Sequence, residues 1–317
     1  MPLPSLTTRK DERGNGLWHR SSRSSVRGSS VLTAELNPPK SAAASVVRRR
    51  AEVLKGVVDA ANVTDSSRAN VAMAAIPAAV LVRDAGVEPI VQVTGRDRNR
   101  IAIQADLLGA AALGLPNFLF MTGDDPKEGN HPDAVHVQDL DGVELVRAAV
   151  SLRGGKLLNG DEVKQPPRYF IGATASPAAP KDVERTLEKV AAGAQFIQTQ
   201  PVFDVAPFSQ WLTEIRRRDQ DVAIVAGVLV LRSADQAGRL AKITGFALPD
   251  HVRTRMRDGA GESEGIAIAV ETVRALRALP GVNGVHVYSI DWPEAVALVA
   301  RGAGLLPRPT VKEVATA

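Results

Sequence analysis

Two acids stand where an apolar run stops. Glu35 lies in Leu32-Thr-Ala-Glu-Leu-Asn-Pro-Pro-Lys40, and Asp124 follows the run from Asn117 to Met121 through Thr122 and Gly123. A carboxyl group at the end of a buried strand is costly to ionise unless it is paired, so its proton affinity rises and suits it to general-acid work. Gly123 lets the backbone approach a ligand closely, and an acid just past a strand sits on the rim of a sheet. The blander readings are a salt bridge from Glu35 to a cation on a neighbouring strand, and turn capping by Asp124 and Asp125.

Amides form a second group. Gln198 and Gln200 precede Pro201, and an amide, being donor and acceptor at once, suits the edge of a nitrogen heterocycle such as a pterin. Capping of the backbone is the alternative. Asn62, Asp65, Gln92 and Thr94 stand at or near the ends of other apolar runs. His131 and His136 flank Pro132 and Asp133 without the spacing of helical metal ligands, so a metal site is not expected and solvent-facing loop histidines are. Gly259, Gly261 and Gly265 mimic a dinucleotide fingerprint, yet no strand leads into them. Neither a serine nucleophile elbow nor a phosphate-cradling Walker loop is present.

What must position these residues is a regular alternation of strands and helices. Apolar runs predict strands at 31–36, 56–63, 89–94, 117–121, 168–173, 195–199, 222–230 and 285–290. Helical patterns fall between them at 42–54, 66–85, 98–113, 141–152, 180–192, 205–217, 234–243, 250–257 and 265–278, with 292–303 closing the chain. The polar stretch 153–167 is an excursion. Eight βα units predict a single-domain α/β fold, a (β/α)8 TIM barrel, with a doubly wound sheet as runner-up. In a barrel the C-terminal strand ends share one mouth, which brings Glu35, Asn62, Gln92, Thr94, Asp124 and Gln200 together.

Composition narrows the function classes. The 317 residues carry a formal charge of +4, but residues 1–30 alone hold six basic and two acidic side chains, which accounts for all of it. A nucleic-acid groove on the body of the protein is therefore not supported. This Ser-, Arg- and Gly-rich segment is read as a disordered basic tail, or as the product of an upstream start codon, with 31–317 as the catalytic barrel. It lacks the apolar core of a secretory signal, and no amphipathic pattern supports a transit peptide. No run of about 18 uncharged apolar residues spans a membrane. With no cysteine there is no disulfide, thiolate nucleophile or Cys-based cluster, which suits a cytoplasmic protein.

Taken together, Glu35 with Pro38-Pro39, the Gly123-Asp124 turn, Thr199-Gln200 followed by Phe203-Asp204-Val205, and Ala226-Gly227-Val228 resemble the methylenetetrahydrofolate reductase family. The likeness runs from about Val31 to Pro307, and the segments 59–65, 284–288 and 304–307 look like a short prokaryotic branch without a regulatory domain. The resemblance implies reduction of 5,10-methylenetetrahydrofolate to 5-methyltetrahydrofolate by NAD(P)H through a bound flavin, usually FAD. It makes Glu35 the general acid that protonates N10, and Asp124 the charge beside the flavin pyrimidine and the pterin that favours the 5-iminium cation. Gln200 and Gln92 join Asp124 as substrate-binding residues. Thr94, Thr122, Gly123, Asp124, His136, Asp182 and Lys189 fall where the family holds its flavin. The expected partners are thus a folate and a nicotinamide nucleotide, with self-association into a homo-oligomer left open.

Three departures qualify the flavin. Thr122 replaces an Arg, Gln92 replaces a His, and an aromatic is missing around Gly172 and Ala173. FMN, another mode of FAD binding, or direct hydride transfer from the nicotinamide are the alternatives. A non-catalytic folate-binding partner subunit is a third reading, against which Glu35 and Asp124 speak.

Overall fold

The computed structural model describes residues 30–241 and 248–309. The expectations for 1–29 and for 242–243 lie outside the described residues. Eight parallel strands close into one barrel in sequence order: β1 (Val31–Leu36), β2 (Ala60–Val63), β3 (Pro89–Thr94), β4 (Asn117–Met121), β5 (Phe170–Ala175), β6 (Phe196–Pro201), β7 (Ala223–Leu229) and β8 (Gly284–Tyr288). The ring shuts where β1 pairs with β8, Val31 opposite Gly284 and Thr33 opposite His286. The expected (β/α)8 barrel is therefore the observed fold, and the doubly wound alternative is ruled out.

Helices α1 (Ala44–Leu54), α2 (Ala75–Asp84), α3 (Arg100–Ala112), α4 (Gly142–Arg153), α5 (Asp182–Ala191) and α6 (Val205–Arg218) alternate with the first seven strands. Three more, α7 (Ala234–Leu240), α8 (Asp250–Asp258) and α9 (Glu262–Arg277), separate β7 from β8, and α10 (Glu294–Gly302) follows β8. Side-chain caps set several starts. Asn99 accepts the N–H groups of Ile101 and Ala102 before α3, while Asp141 and Glu144 exchange hydrogen bonds in a capping box before α4.

Two predicted elements are shorter than expected, for local reasons. A helix over 66–85 would carry Pro77 in its interior, where the ring clashes with the preceding turn. Instead Ser67–Ala69 is an isolated 3-10 turn and α2 begins at Ala75, leaving Pro77 in the first turn where its missing N–H costs nothing. The strand expected over 56–63 is only Ala60–Val63, because Gly56 at φ +74° turns the chain and Val58 still donates back to Leu54 O. The glycines of the false dinucleotide fingerprint have a packing role. A Cβ on Gly265 would lie 1.7 Å from Leu231 O, so its absence lets α9 approach the chain leaving β7.

Alternation along the strands fills the lumen in layers. The floor is apolar, from Val31, Ala60, Ile90, Leu119, Phe170, Phe196, Ala223 and Val225. Two residues further along, the layer turns polar with Thr33, Asn62, Gln92, Gln198 and His286, all buried. Another two residues bring Glu35, Thr94 and Tyr288 to the C-terminal mouth. At the opposite end Arg308 reaches the buried carboxylate of Asp59 and the carbonyl of Ser30.

Candidate active site

The mouth is built on the polar layer beneath it. Asn62 Nδ2 donates to Gln198 Oε1 (2.8 Å), Gln198 Nε2 donates to the Tyr288 hydroxyl (3.1 Å), and Tyr288 donates to Thr199 O (3.1 Å). Beside this chain Thr33 Oγ1 and His286 Nδ1 share a hydrogen bond of 2.8 Å. Burial without a charged partner keeps His286 neutral, with its pKa pushed down to about 3. Burial also raises the Tyr288 phenol, against the opposing hydrogen bond from Gln198, and the nearby Glu35 carboxylate adds to the rise. Asn62 Oδ1 and His286 Nε2 are buried without a protein partner.

Glu35 stands on this platform at the end of β1. Its partner is the amide of Asn37, whose Nδ2 donates to Glu35 Oε1 at 2.9 Å, and not the cation a salt bridge would require. Asn37 is itself held by the hydroxyl of Thr64, which donates to its Oδ1 (2.9 Å). Burial is the largest influence on the acid. Against the Asn37 hydrogen bond, and with help from the charge of Asp291, it pushes the Glu35 pKa up to about 7 from the ordinary 4.5. A carboxyl group so poised gives up its proton near neutral pH, as a general acid must.

Asp124 lies at the same mouth, past β4 and three strands round the ring from Glu35. It is exposed, and its Oδ2 accepts the backbone N–H of Arg68 (2.8 Å), which ties the turn after β2 to the rim. Turn capping falls to its neighbour: Asp125 Oδ1 accepts Lys127 N at 2.9 Å. Gln92 is buried in the layer below, whereas Gln200 is part-exposed at the end of β6. There β6 carries an irregularity, Gln198 opposing Val225 but Pro201 opposing Gly227. The bulge is pinned by Gly227 N donating to Thr199 Oγ1 (3.0 Å).

Most of the remaining residues assigned to a flavin are neighbours: Thr94 packs on Gly123, and Thr122 and Lys189 both border Gly142. Thr94 spends both N–H and hydroxyl on Asp65 Oδ2 (2.9 and 3.0 Å), a carboxylate that Arg98 also grips. Asp182 is buried and accepts from Ser176 N (2.8 Å), Trp211 Nε1 (3.0 Å) and Thr186 Oγ1 (3.2 Å), so it joins β5, α5 and α6. Lys189 Nζ donates to Thr174 O at 2.6 Å, and burial lowers its pKa. Gly123, at φ +94°, is covered by Arg96 and Thr94, whose Cβ atoms would each lie 3.0 Å from an added Cβ. Thr122 is part-buried beside α4 and His136 is exposed in the loop after β4. Among the described residues no group of three or more His, Asp or Glu is placed to hold a metal ion, and no helix is long and apolar enough to cross a membrane.

Some of the site escaped the motif reading. Asn37, Arg50, Tyr288 and Asp291 stand around Glu35; Asn37 falls within 32–40 and Tyr288 within 284–288, where the period-two alternation from Gly284 turns every second residue inward, but neither is given a role by the motifs. Arg50 and Asp291 reach the site from α1 and from the loop after β8, at distances in sequence no spacing rule covers.

The sequence matches a known family, and the fold a solved structure. The family described as Methylenetetrahydrofolate reductase matches residues 20–304. Methylenetetrahydrofolate reductase 1 of Schizosaccharomyces pombe is 26% identical over 243 residues, covering 72% of this chain and 37% of that protein. The 5,10-methylenetetrahydrofolate reductase of Pectobacterium carotovorum is 26% identical over 200 residues, covering 61% and 62%. The chain thus spans between about a third and two thirds of the length of these relatives. Among solved structures, an uncharacterized protein from Clostridium thermocellum that binds two copies of 5-methyl-5,6,7,8-tetrahydrofolic acid shares the fold. Its TM-score is 0.62 at 12% identity, over 90% of this chain and 99% of that one.

Proposed function

Because the chain belongs to the methylenetetrahydrofolate reductase family, we propose that it reduces 5,10-methylenetetrahydrofolate to 5-methyltetrahydrofolate at the C-terminal mouth, with NAD(P)H as reductant. The observation that carries this is the environment of Glu35, a carboxyl group held by one amide and titrating at about 7. Its proton goes to N10, the C–N10 bond breaks, and the five-membered ring opens to a 5-iminium cation. A hydride from the reductant then reaches the methylene carbon, and solvent reprotonates Glu35. Asp124, its carboxylate fixed by the Arg68 N–H, supplies negative charge on the rim where a cation develops. Gln200 and Gln92 offer paired donors and acceptors to the pterin edge.

Family membership suggests a flavin between nicotinamide and folate, a group that accepts hydride from one and passes it to the other. Three of the side chains assigned to it already have partners inside the protein, and each keeps hydrogen-bonding capacity for a ligand. Asp182 accepts from three donors, Thr94 donates to Asp65, and Lys189 donates one of its three N–H groups to Thr174 O. The departures at Thr122 and Gln92 motivate a second reading, direct transfer from the nicotinamide to the iminium carbon on the same barrel.

One preparation tests both. Purified protein with methylenetetrahydrofolate and NADH or NADPH is expected to oxidise the nicotinamide, and Glu35→Gln to slow this by about 10² or more. Retention of turnover in Glu35→Gln removes the acid from the mechanism, and folate binding without turnover marks a partner subunit instead. A yellow, active protein establishes the flavin route. A colourless, active one establishes direct transfer.

A further inference from the structure

The turn after β8 is strained at one place. Ile290 and Asp291 are consecutive non-glycine residues at positive φ, +37° and +58°. For a β-branched residue the left-handed region is an outlier, and strain of this kind persists only where surrounding structure enforces it. What it achieves here is a position. The turn carries Asp291 into the cleft of the proton donor, which is lined by Glu35, Asn37, Arg50, Ser289, Asp291 and Pro293.

Arg50, on α1, holds the arrangement with two arms. One nitrogen meets Asp291 Oδ1 at 3.1 Å, and another donates to the carbonyl of Asn37, the residue whose amide grips Glu35. Trp292 N donates to Ser289 O (3.2 Å) and closes the turn from its far side. A single guanidinium therefore connects the donor's hydrogen-bond partner to the acid opposite.

We propose that Asp291, seated by Arg50 and by the left-handed turn at Ile290, is a positioning residue for the proton-transfer step, acting through Glu35. The inference rests on the reading of Glu35 as general acid. Among the described residues, the polar and charged groups around that acid are Asn37 from the end of its own strand, Arg50 from α1, Tyr288 and Ser289 from β8 and its end, and Asp291 from the following loop. The Asn37 amide favours the carboxylate, whereas the negative charge of Asp291 favours the protonated acid, in the direction seen for Glu35. Arg50 limits that effect by pairing with Asp291, so the influence on Glu35 is moderate.

Asp291→Asn tests this, since asparagine keeps the shape and tolerates the left-handed region. The alkaline limb of the kcat/KM profile is expected to move to lower pH by ~0.3 or more, because an acid without its negative neighbour loses its proton sooner. The carbon-13 shift of the Glu35 carboxyl, followed by pH titration without substrate, should move by the same amount. In a Glu35→Gln background the substitution should change turnover no further. Equal loss of activity at every pH, with the Glu35 titration unmoved, overturns the proposal while leaving the acid role of Glu35 intact. Should Glu35→Gln itself retain activity, it is the general-acid reading that fails, whatever Asp291 does to the titration. Asp291→Ser, which removes the charge with a smaller side chain, repeats the test if the amide variant does not fold.

Discussion

Glu35 and His286 titrate in opposite senses only a strand apart, and together they shape how stability depends on pH. Glu35 is raised from 4.5 to about 7, so between those values the folded protein holds a proton that the unfolded chain has lost. Its contribution is complete below 4.5 and disappears as pH climbs to about 7. His286 is depressed from 6.5 to about 3, so the unfolded chain takes up a proton that the buried ring refuses. That contribution is complete above 6.5 and disappears as pH falls toward 3. Across the shared window from 4.5 to 6.5 the two slopes cancel. Removing either group unmasks the other. Glu35→Gln should make stability rise with pH up to about 6.5, and His286→Gln should make it fall from 4.5 to about 7, each at no more than ~1.4 kcal/mol per pH unit. Urea midpoints at several pH values read this directly, and the other carboxylates drop out of the difference from wild type. Parallel curves for the three proteins would contradict it.

Elements decide what the strand-end residues can reach, and here legibility in the sequence was uneven. Strands β1, β3 and β4 follow from their apolar runs to the residue, because each is bounded by a sharp polar or glycine break. The end of β6 does not. Periodicity places Gln198 and Gln200 two apart on one face, but the extra residue opposite Val225 and Gly227 alters the register between them. That bulge depends on a contact between distant segments that no local pattern encodes. A Cβ on Gly227 would stand 2.5 Å from Thr199 O and 2.8 Å from Gln200 O, so glycine is what lets β7 lie against it. Gly227→Ala should cost about 1–3 kcal/mol by overpacking and push Gln200 away from the mouth. For the proposed reaction, the expected kinetic signature is a KM for the folate raised more than kcat is lowered. Loss of stability with an unchanged KM would make the bulge a packing feature alone.

At the scale of the whole molecule, closure is what puts the first and fourth strands on one mouth, and counting βα units cannot show it. The observed closure has a chemical lock at the far end. Asp59, just before β2, accepts the N–H of Leu32 at 2.9 Å, and Arg308, beyond α10, donates to Asp59 Oδ1 at 3.3 Å and bonds its other oxygen too. The same guanidinium donates to Ser30 O (2.8 Å) and Leu305 O (3.2 Å). The end of the described chain is thereby stitched to the entrances of β1 and β2, beside the β1–β8 seam. Because the Asp59 side chain is only 1% exposed, Arg308→Ala leaves a buried carboxylate without this charged partner. Such a loss costs about 3–5 kcal/mol, and Tm should fall by on the order of 10 °C. Arg308→Lys keeps the charge but not the planar fork, and belongs between the two. Since the lock lies at the N-terminal ends of the strands, kcat/KM measured well below Tm should stay near wild type in both variants. An unchanged Tm in Arg308→Ala would mean that strand pairing alone closes the ring, while intact Tm with lost activity would place Arg308 in the chemistry rather than in the frame.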